Sequence, residues 1–534
     1  MHPTLVERLR RLTPDQRAAA TAPPGPVLCV APAGSGKTTT LVARIVWLVD
    51  GGEPASGIAA ITFNKRAAEE LAERLDAALA PLGIDRGAVR VRTFHALGRE
   101  ILRDAGRPVE PLVDRDALIA ELWPALALAE RGRLDTAFSR LKLDLAVTAA
   151  EIGADPGAGP VARAFVAYEA ALSARGGLDF DDLVRGALDA LTTEPALLER
   201  WRDRCGHLLV DEVQDVDRSQ LRLALLLAAP SNRIFLVGDD DQSIYGWRLA
   251  DVRRVLAIGQ ALPGLRRVDL EVNHRCPAPV VQRAVRLIEH NDERFSKRIR
   301  PRANAPGSLV LAPDPTDEPA RTERLLRSWP DDDGTKAILA RTNRELRPAV
   351  VAAMTLGIAF RAPSVDLLVD DPLLDDVLAR IAEETDPSAP LLVRIASVRE
   401  RLAPGTRTER DLLTALLAWA PPYPDLPAVS EAIDATRARL AELRREDARL
   451  SLATAHSTKG AEYDHVAVIG LEEGRFPSGR AVTEAADPAR AMEEERRLGY
   501  VAWTRARRSL TLSYDPAVPS RFLLEAFDQS EISP

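Results

Sequence analysis

The chain has 534 residues, 46% hydrophobic and 28% charged, a soluble globular composition long enough for several cores. Its formal net charge of −8 speaks against a uniformly basic nucleic-acid coat, although a local cationic track can bind phosphate on an acidic protein. Cys29, Cys205 and Cys276 are scattered and odd in number, Met1 to Arg11 lacks an apolar h-region, and no apolar run reaches bilayer length. These features argue against a disulfide framework, a Zn or Fe–S site and a membrane anchor, and predict a cytoplasmic protein.

Thr13-Pro14-Asp15-Gln16 reads as a helix start, with Thr13 as the cap, and the Gln16 amide could bond an adenine edge. Pro26 to Val30 is an apolar run suited to a buried strand. It is followed by Ala31-Pro-Ala33-Gly34-Ser35-Gly36-Lys37-Thr38 and a helical stretch, Thr39 to Val49. Strand, glycine-rich loop and helix in that order are the context of a P-loop, with Ala31 where Gly usually opens the pattern. Gly34 and Gly36 let backbone N–H groups of the loop point into one concavity at a positive helix end. Lys37 would reach the β- and γ-phosphates of ATP, and the Thr38 hydroxyl would bind Mg²⁺. Lysine is rare in this chain, and Lys37, Lys65 and Lys459 all fall in the motifs described here.

Ile58 to Asn64 reads as a second buried strand ending in Thr62, Phe63 and Asn64, with a helix from Lys65 to Ala78. Val89 to His95 repeats the design, ending in Thr93, Phe94 and His95. Ligands of doubly wound sheets bind beyond such carboxyl ends, and Thr-Phe plus a polar residue suits phosphates and bases held together. Ile101 to Gly176 loses the strand–helix alternation and reads as a helical insertion with a loop near Gly153 to Gly159. His207 to Val210 is an apolar strand ending in Asp211 and Glu212. Asp211 would hold Mg²⁺ through water, and Glu212 would orient and deprotonate the attacking water. Another strand ends at Gly238. Asp239-Asp-Asp-Gln242 then leads into Tyr245, Trp247 and Arg248, which places a γ-phosphate sensor, Gln242, beside an aromatic platform in a chain only 4% aromatic. Base stacking on such rings is worth roughly 1–3 kcal/mol per base and tolerates any sequence.

Read with Asp211-Glu-Val-Gln-Asp215, this stretch resembles the UvrD/Rep-type superfamily 1A DNA helicases. So do Asp269-Leu-Glu-Val-Asn-His274-Arg275, Leu452 to Tyr463 and Glu493 to Ala506. The resemblance implies an α/β fold of two RecA-like P-loop motor domains with ATP between them, each with a mostly helical insertion. It divides the chain into a first motor (1–103 and 177–276) with insertion 104–176, and a second (277–371 and 448–534) with a reduced insertion, 372–447. It implies that Arg275 and Arg505 are γ-phosphate arginines, a finger being worth ~10³–10⁵ in turnover. Thr39, His274 and Glu462 would join nucleotide binding. DNA would be held by Thr62, Phe63, Asn64, Thr93, His95, Tyr245, Trp247, Arg248, Thr454 and His456.

Two departures stand out. The family carries Arg after the P-loop Thr and Tyr before the first finger, sandwiching adenine, whereas this chain has Thr39 and His274; a His still stacks, but Thr39 does not. The second insertion is small where relatives carry a larger domain that swivels and contacts duplex. The expectation is an ATP- and Mg²⁺-dependent single-stranded DNA translocase and 3′→5′ helicase. It would act at single-strand/duplex junctions in repair or replication restart, without a membrane; repair or replication proteins are possible partners that the sequence does not identify. The rival readings are a translocase that displaces proteins without processive unwinding, and a nucleotide-gated DNA-binding module.

Overall fold

The structure, a computed structural model, describes residues 2–145, 148–155, 157–402 and 407–532. It separates into two compact units. Unit 1 runs up to Arg275 and adds Ile288–Ala305; unit 2 comprises Cys276–Leu287 and the chain from Pro306 onward.

Unit 1 is built on six parallel strands: β1 (Val27–Val30), β2 (Ile58–Thr62), β3 (Arg90–Thr93), β4 (His207–Val210), β5 (Ile234–Gly238) and β6 (Arg266–Asp269), in the order β3-β2-β4-β5-β1-β6. Every residue of β1, β2, β4 and β5 is buried, as expected of strands covered on both faces. The arginine-bearing strands β3 and β6 take the edges, where their charged side chains can reach water. The sheet order reverses next to β1, so the loops after β1, β4 and β5 open at the same carboxyl edge.

Two short strands, β7 (Val272–Asn273) and β8 (Arg300–Pro301), pair with each other and tie the returning segment to unit 1. The sequence placed everything from 277 to 371 in the second motor. Ile288–Ala305 instead belongs to unit 1, because this pairing and a buried ion cluster around Lys297 hold it there. Neither contact has a local sequence signature.

Helices Arg115–Leu122, Leu128–Leu143, Ala149–Ala154 and Pro160–Ala174 form a satellite core around Phe138, Phe165, Tyr168 and Leu172. Pro156, in the expected loop, lies outside the described residues. Below this core Lys142, fully buried, is bonded to Asp179 at 2.7 Å and to Asp182 and Glu169 at 2.8 Å each.

Unit 2 carries the second parallel sheet: β9 (Ser308–Pro313), β10 (Lys336–Ala340), β11 (Phe360–Arg361), β12 (Leu450–Thr454), β13 (Tyr463–Val468) and β14 (Ala506–Tyr514), in the order β11-β12-β10-β13-β14-β9. The expected α/β class with two parallel sheets flanked by helices is therefore what the chain adopts. Residues 403–406 of the expected second insertion lie outside the described residues. Its helices Leu374–Glu384, Leu391–Arg401, Arg407–Trp419 and Leu426–Leu443 share one hydrophobic core with the sheet, running from Ile338 and Phe360 to Ile381, Ile395, Leu416 and Ile433. Arg437 Nε adds a bond to Val369 O at 2.9 Å, and Arg445 N one to Phe360 O at 2.9 Å. A shared core of this kind makes insertion and sheet one packed body.

Candidate nucleotide and nucleic-acid sites

The loop after β1 has the backbone that the glycines allow. Gly34 and Gly36 sit at φ +67° and +84°, in the left-handed region. A Cβ on Gly34 would lie 2.8 Å from both Arg275 Cβ and Asn273 Oδ1, and one on Gly36 would lie 2.6 Å from Gln16 Nε2. The loop is thus held on two sides. Gln16 Nε2 donates to Ser35 O at 2.8 Å while its Oε1 accepts from Thr13 N at 3.1 Å. His274 N donates to Gly34 O at 2.8 Å. Ala33 is buried, and so is the Ser35 hydroxyl, which has no hydrogen-bond partner among the described residues. Lys37 and Thr38 open the helix Lys37–Asp50 and are half-buried; Thr39 is exposed. A glycine cradle at a helix N-terminus, with an orphaned hydroxyl and a lysine, fits the phosphates of ATP.

Asp211 and Glu212 follow β4 at the same edge. Lys37 Nζ lies 3.9 Å from Glu212 Oε1 and donates to Ala31 O at 3.2 Å. Burial, and then the neighbouring Glu212 charge, push the Asp211 carboxyl up to about 7, while Lys37 pulls it down. Glu212 sits at φ +51°, a strained conformation for a non-glycine residue of the kind found at functional sites. Gln214 supports it, with Nε2 donating to Glu212 Oε2 at 2.5 Å and Oε1 accepting from Asp239 N at 2.9 Å. A Cβ on Gly238 would meet Gln214 Oε1 at 2.3 Å, so glycine is needed for this bridge. Gln242 is buried, and its Nε2 donates to Asp239 Oδ2 at 2.6 Å. Asp240 and Asp241 are buried beneath it; Lys297 pairs with Asp239, Asp240 and Asp241, and Arg294 adds a fork onto Asp241 at 2.8 and 2.9 Å.

The expected DNA residues sort themselves by orientation. Phe63 and Tyr245 stack at 5.1 Å with planes 10° apart, Trp247 meets Tyr245 edge-on at 6.2 Å, and the Arg248 guanidinium lies 4.7 Å from the Trp247 ring centre. Trp247 is 57% exposed. These four form one platform. Phe94, by contrast, is buried in the unit 1 core. Thr62 is also buried, its hydroxyl on Asn64 O at 3.2 Å, which corrects the reading of it as a surface contact. Asn64 and Thr93 cap the helices Lys65–Leu79 and Phe94–Asp104, accepting from Ala67 N at 2.9 Å and Ala96 N at 3.2 Å. His95 stacks on Phe180 at 4.0 Å, and burial holds its imidazole down to about 4.

In unit 2, Thr454 ends β12 and bonds Ser457 Oγ at 3.2 Å, and His456 is held down to about 4 by burial and then by Arg341. Glu462 pairs with Arg507. Arg505 is turned inward. It is 1% exposed, with its guanidinium on Val501 O at 2.8 Å, Ala461 O at 3.1 Å and Thr504 Oγ1 at 3.2 Å. The arginine that the resemblance implies as a second finger is thus bonded to Val501, Ala461 and Thr504 of its own unit. Arg275 is half-buried, with its N–H on Asn273 Oδ1 at 2.9 Å.

Residues 12–263 match the family described as UvrD/REP helicase N-terminal domain, and residues 423–516 match the UvrD-like helicase C-terminal domain. The ATP-dependent DNA helicase UvrD2 of Mycobacterium tuberculosis (strain H37Rv) is 33% identical, the match covering 98% of this chain and 82% of the relative. The chain belongs to the UvrD/Rep family of DNA helicases. DNA helicase II of Escherichia coli (strain K12) is 28% identical, covering 95% and 84%. The ATP-dependent DNA helicase PcrA of Staphylococcus epidermidis is 27% identical, covering 97% and 86%.

Within this UvrD/Rep-family chain, sequence reasoning missed several residues that the fold brings to these sites. Phe180 is 57% exposed and stacks on His95, one of the expected DNA residues. An aromatic inside Leu178-Asp-Phe-Asp-Asp182, a polar run in an aromatic-poor chain, was the available signal. Gln214 lay within a quoted motif but had no role assigned. Lys297 was visible only as a rare lysine. Among the described residues, no helix is long and apolar enough to cross a membrane.

Proposed function

We propose that this helicase hydrolyses ATP to move 3′→5′ along single-stranded DNA and opens duplex at single-strand/duplex junctions, in cytoplasmic repair or replication restart with proteins of those processes. Gln16, Ala33, Gly34, Ser35, Gly36, Lys37, Thr38, Thr39, His274 and Glu462 make up the nucleotide contacts. Lys37 and Arg275 meet the γ-phosphate, Glu212 takes the proton of the attacking water, and Gln242 reports the state of the phosphate to the residues that follow it. Arg505 acts as the second arginine after leaving its internal bonds. Thr38 and Asp211 would hold Mg²⁺, which when bound neutralises charge on the β- and γ-phosphate oxygens.

One observation carries the reading. The run after β5 passes from Gln242, bonded beside the Glu212–Gln214 bridge, to the half-buried Tyr245 and the exposed Trp247 and Arg248 within six residues. A change at the phosphate end therefore has a short, rigid route to the bases. Phe63, Tyr245, Trp247 and Arg248 stack and steady the strand, Thr62, Asn64 and Thr93 shape the turns beneath it, and His95, Thr454 and His456 extend the track. ATP turnover of the wild type and Lys37→Ala, with and without single-stranded DNA, tests this. DNA should stimulate the wild type and not the variant; an unstimulated wild type would leave only a nucleotide-gated binding module.

The shared core of insertion and sheet in unit 2 favours a second reading, a translocase that strips proteins from single strands without processive unwinding. Unwinding of a forked duplex, measured beside streptavidin displacement from a biotinylated strand, separates the two.

A further inference from the structure

The nucleobase side of the ATP site is thinly furnished. Thr39, exposed at the first turn of its helix, offers a methyl and a hydroxyl but no flat group. The Gln16 amide is engaged with Thr13 N and Ser35 O. The flat group that remains is His274, exposed, and carried by the residue whose own N–H fastens Gly34.

A second flat group arrives from distant sequence. β7 pairs with β8 so that Asn273 faces Pro301, and Arg302 N donates to Asn273 O at 2.9 Å. That bond sets Arg302 beside His274. Among the described residues the Arg302 guanidinium has no hydrogen-bond or ion-pair partner, and it is exposed. Its neighbour Arg300, by contrast, pairs with Glu271 at 3.3 Å. The two groups sense each other: the partial desolvation of the His274 ring, and then the Arg302 charge, hold its imidazole below its ordinary value, while Asp15 raises it.

We propose that Arg302 and His274 together form the nucleobase contact of the ATP site, with the planar guanidinium supplying the stacking surface that position 39 lacks. The proposal rests on the ATP-binding reading above. A guanidinium is flat, weakly hydrated and always charged, so it stacks on a purine face where a lysine ammonium would stay hydrated. Contacts made with ring faces discriminate poorly between bases, because every base has a π-face. GTP should therefore support turnover at a KM close to that of ATP.

The test uses the full chain and steady-state, DNA-stimulated hydrolysis of ATP and GTP, with inorganic tripolyphosphate as a competitor that has no base. The variants are Arg302→Ala, Arg302→Lys and His274→Ala, with Arg300→Ala as the control. Each of the first three should raise the KM for ATP roughly three- to tenfold, the size of a partly desolvated cation–π or stacking contact. Most of the loss should sit in KM rather than kcat, Lys should not rescue, and tripolyphosphate inhibition should be unmoved. Two results would overturn the proposal: a KM within twofold of wild type in Arg302→Ala, or tripolyphosphate inhibition weakening in step with KM, which would make Arg302 a phosphate-side charge. Calorimetric binding of ADP to the same variants gives the comparison independently of turnover. A wild type that binds ADP but hydrolyses nothing would count against the enzyme reading and leave the Arg302 result standing.

Discussion

The ammonium of Lys37 stands 3.9 Å from the Glu212 carboxylate, too long for a direct hydrogen bond but close enough for strong attraction in a half-buried site. A triphosphate entering the loop would compete with Glu212 for Lys37. The carboxylate, still positioned by Gln214 at 2.5 Å, would then be left to act on water. On the proposed roles, the same pair would couple phosphate binding to the readiness of the general base.

Glu212→Gln removes the base and keeps the shape. General-base assistance is worth about 10²–10⁴-fold, so kcat should fall by at least about a hundredfold. ATP affinity, measured by calorimetry, should be kept or improved, since a negative charge near the phosphates is gone. Loss of binding instead of turnover would mean that Glu212 is structural.

Phe63 and Phe94 occupy equivalent strand ends and should answer differently. Phe63→Ala and Trp247→Ala should each weaken single-stranded DNA binding by roughly five- to a hundredfold, the range of one lost base stack, with the fold intact. Phe94→Ala should instead cost about 3–5 kcal/mol of unfolding free energy, because it empties a core position. Fluorescence anisotropy with labelled oligonucleotide and urea titration read the two effects.

Lys297→Met should destabilise unit 1 by about 3–5 kcal/mol, since it strands buried carboxylates of Asp239, Asp240 and Asp241 without their shared cation. The urea midpoint should drop sharply. An unchanged midpoint would show that the cluster adjusts its protonation to do without the lysine.

His95 is held down to about 4 from an ordinary value near 6.5, so the folded protein takes up this proton less readily than the unfolded chain. The stability associated with this depressed group is fully present above pH 6.5 and is lost as pH falls toward 4. His95→Gln should therefore narrow the drop in melting temperature between pH 7.5 and pH 4.5. A drop as large as in the wild type would place the acid sensitivity elsewhere, with His456 the next group to test.

Some of this molecule is legible locally. The phosphate loop, Lys37-Thr38 and the Asp211-Glu212 pair are contiguous, and their chemistry depends on the order of residues along a strand, a turn and a helix start. The aromatic run Tyr245-Gly-Trp247-Arg248 reads in the same way, because a polar turn leaves rings nowhere to go but outward.

Tertiary structure decided the rest. Phe63 and Phe94 share the same local pattern, yet one stacks on Tyr245 and the other fills the core. Arg505 is turned onto Val501 and Ala461, and the second insertion is fused to the unit 2 sheet through one core. Arg302 is bonded to Asn273, next to His274, and Lys297 reaches the three aspartates, only because β7 pairs with β8 and the chain returns to unit 1. The direction a side chain faces and the company it keeps follow from packing between segments far apart in the chain, and no local pattern carries that information.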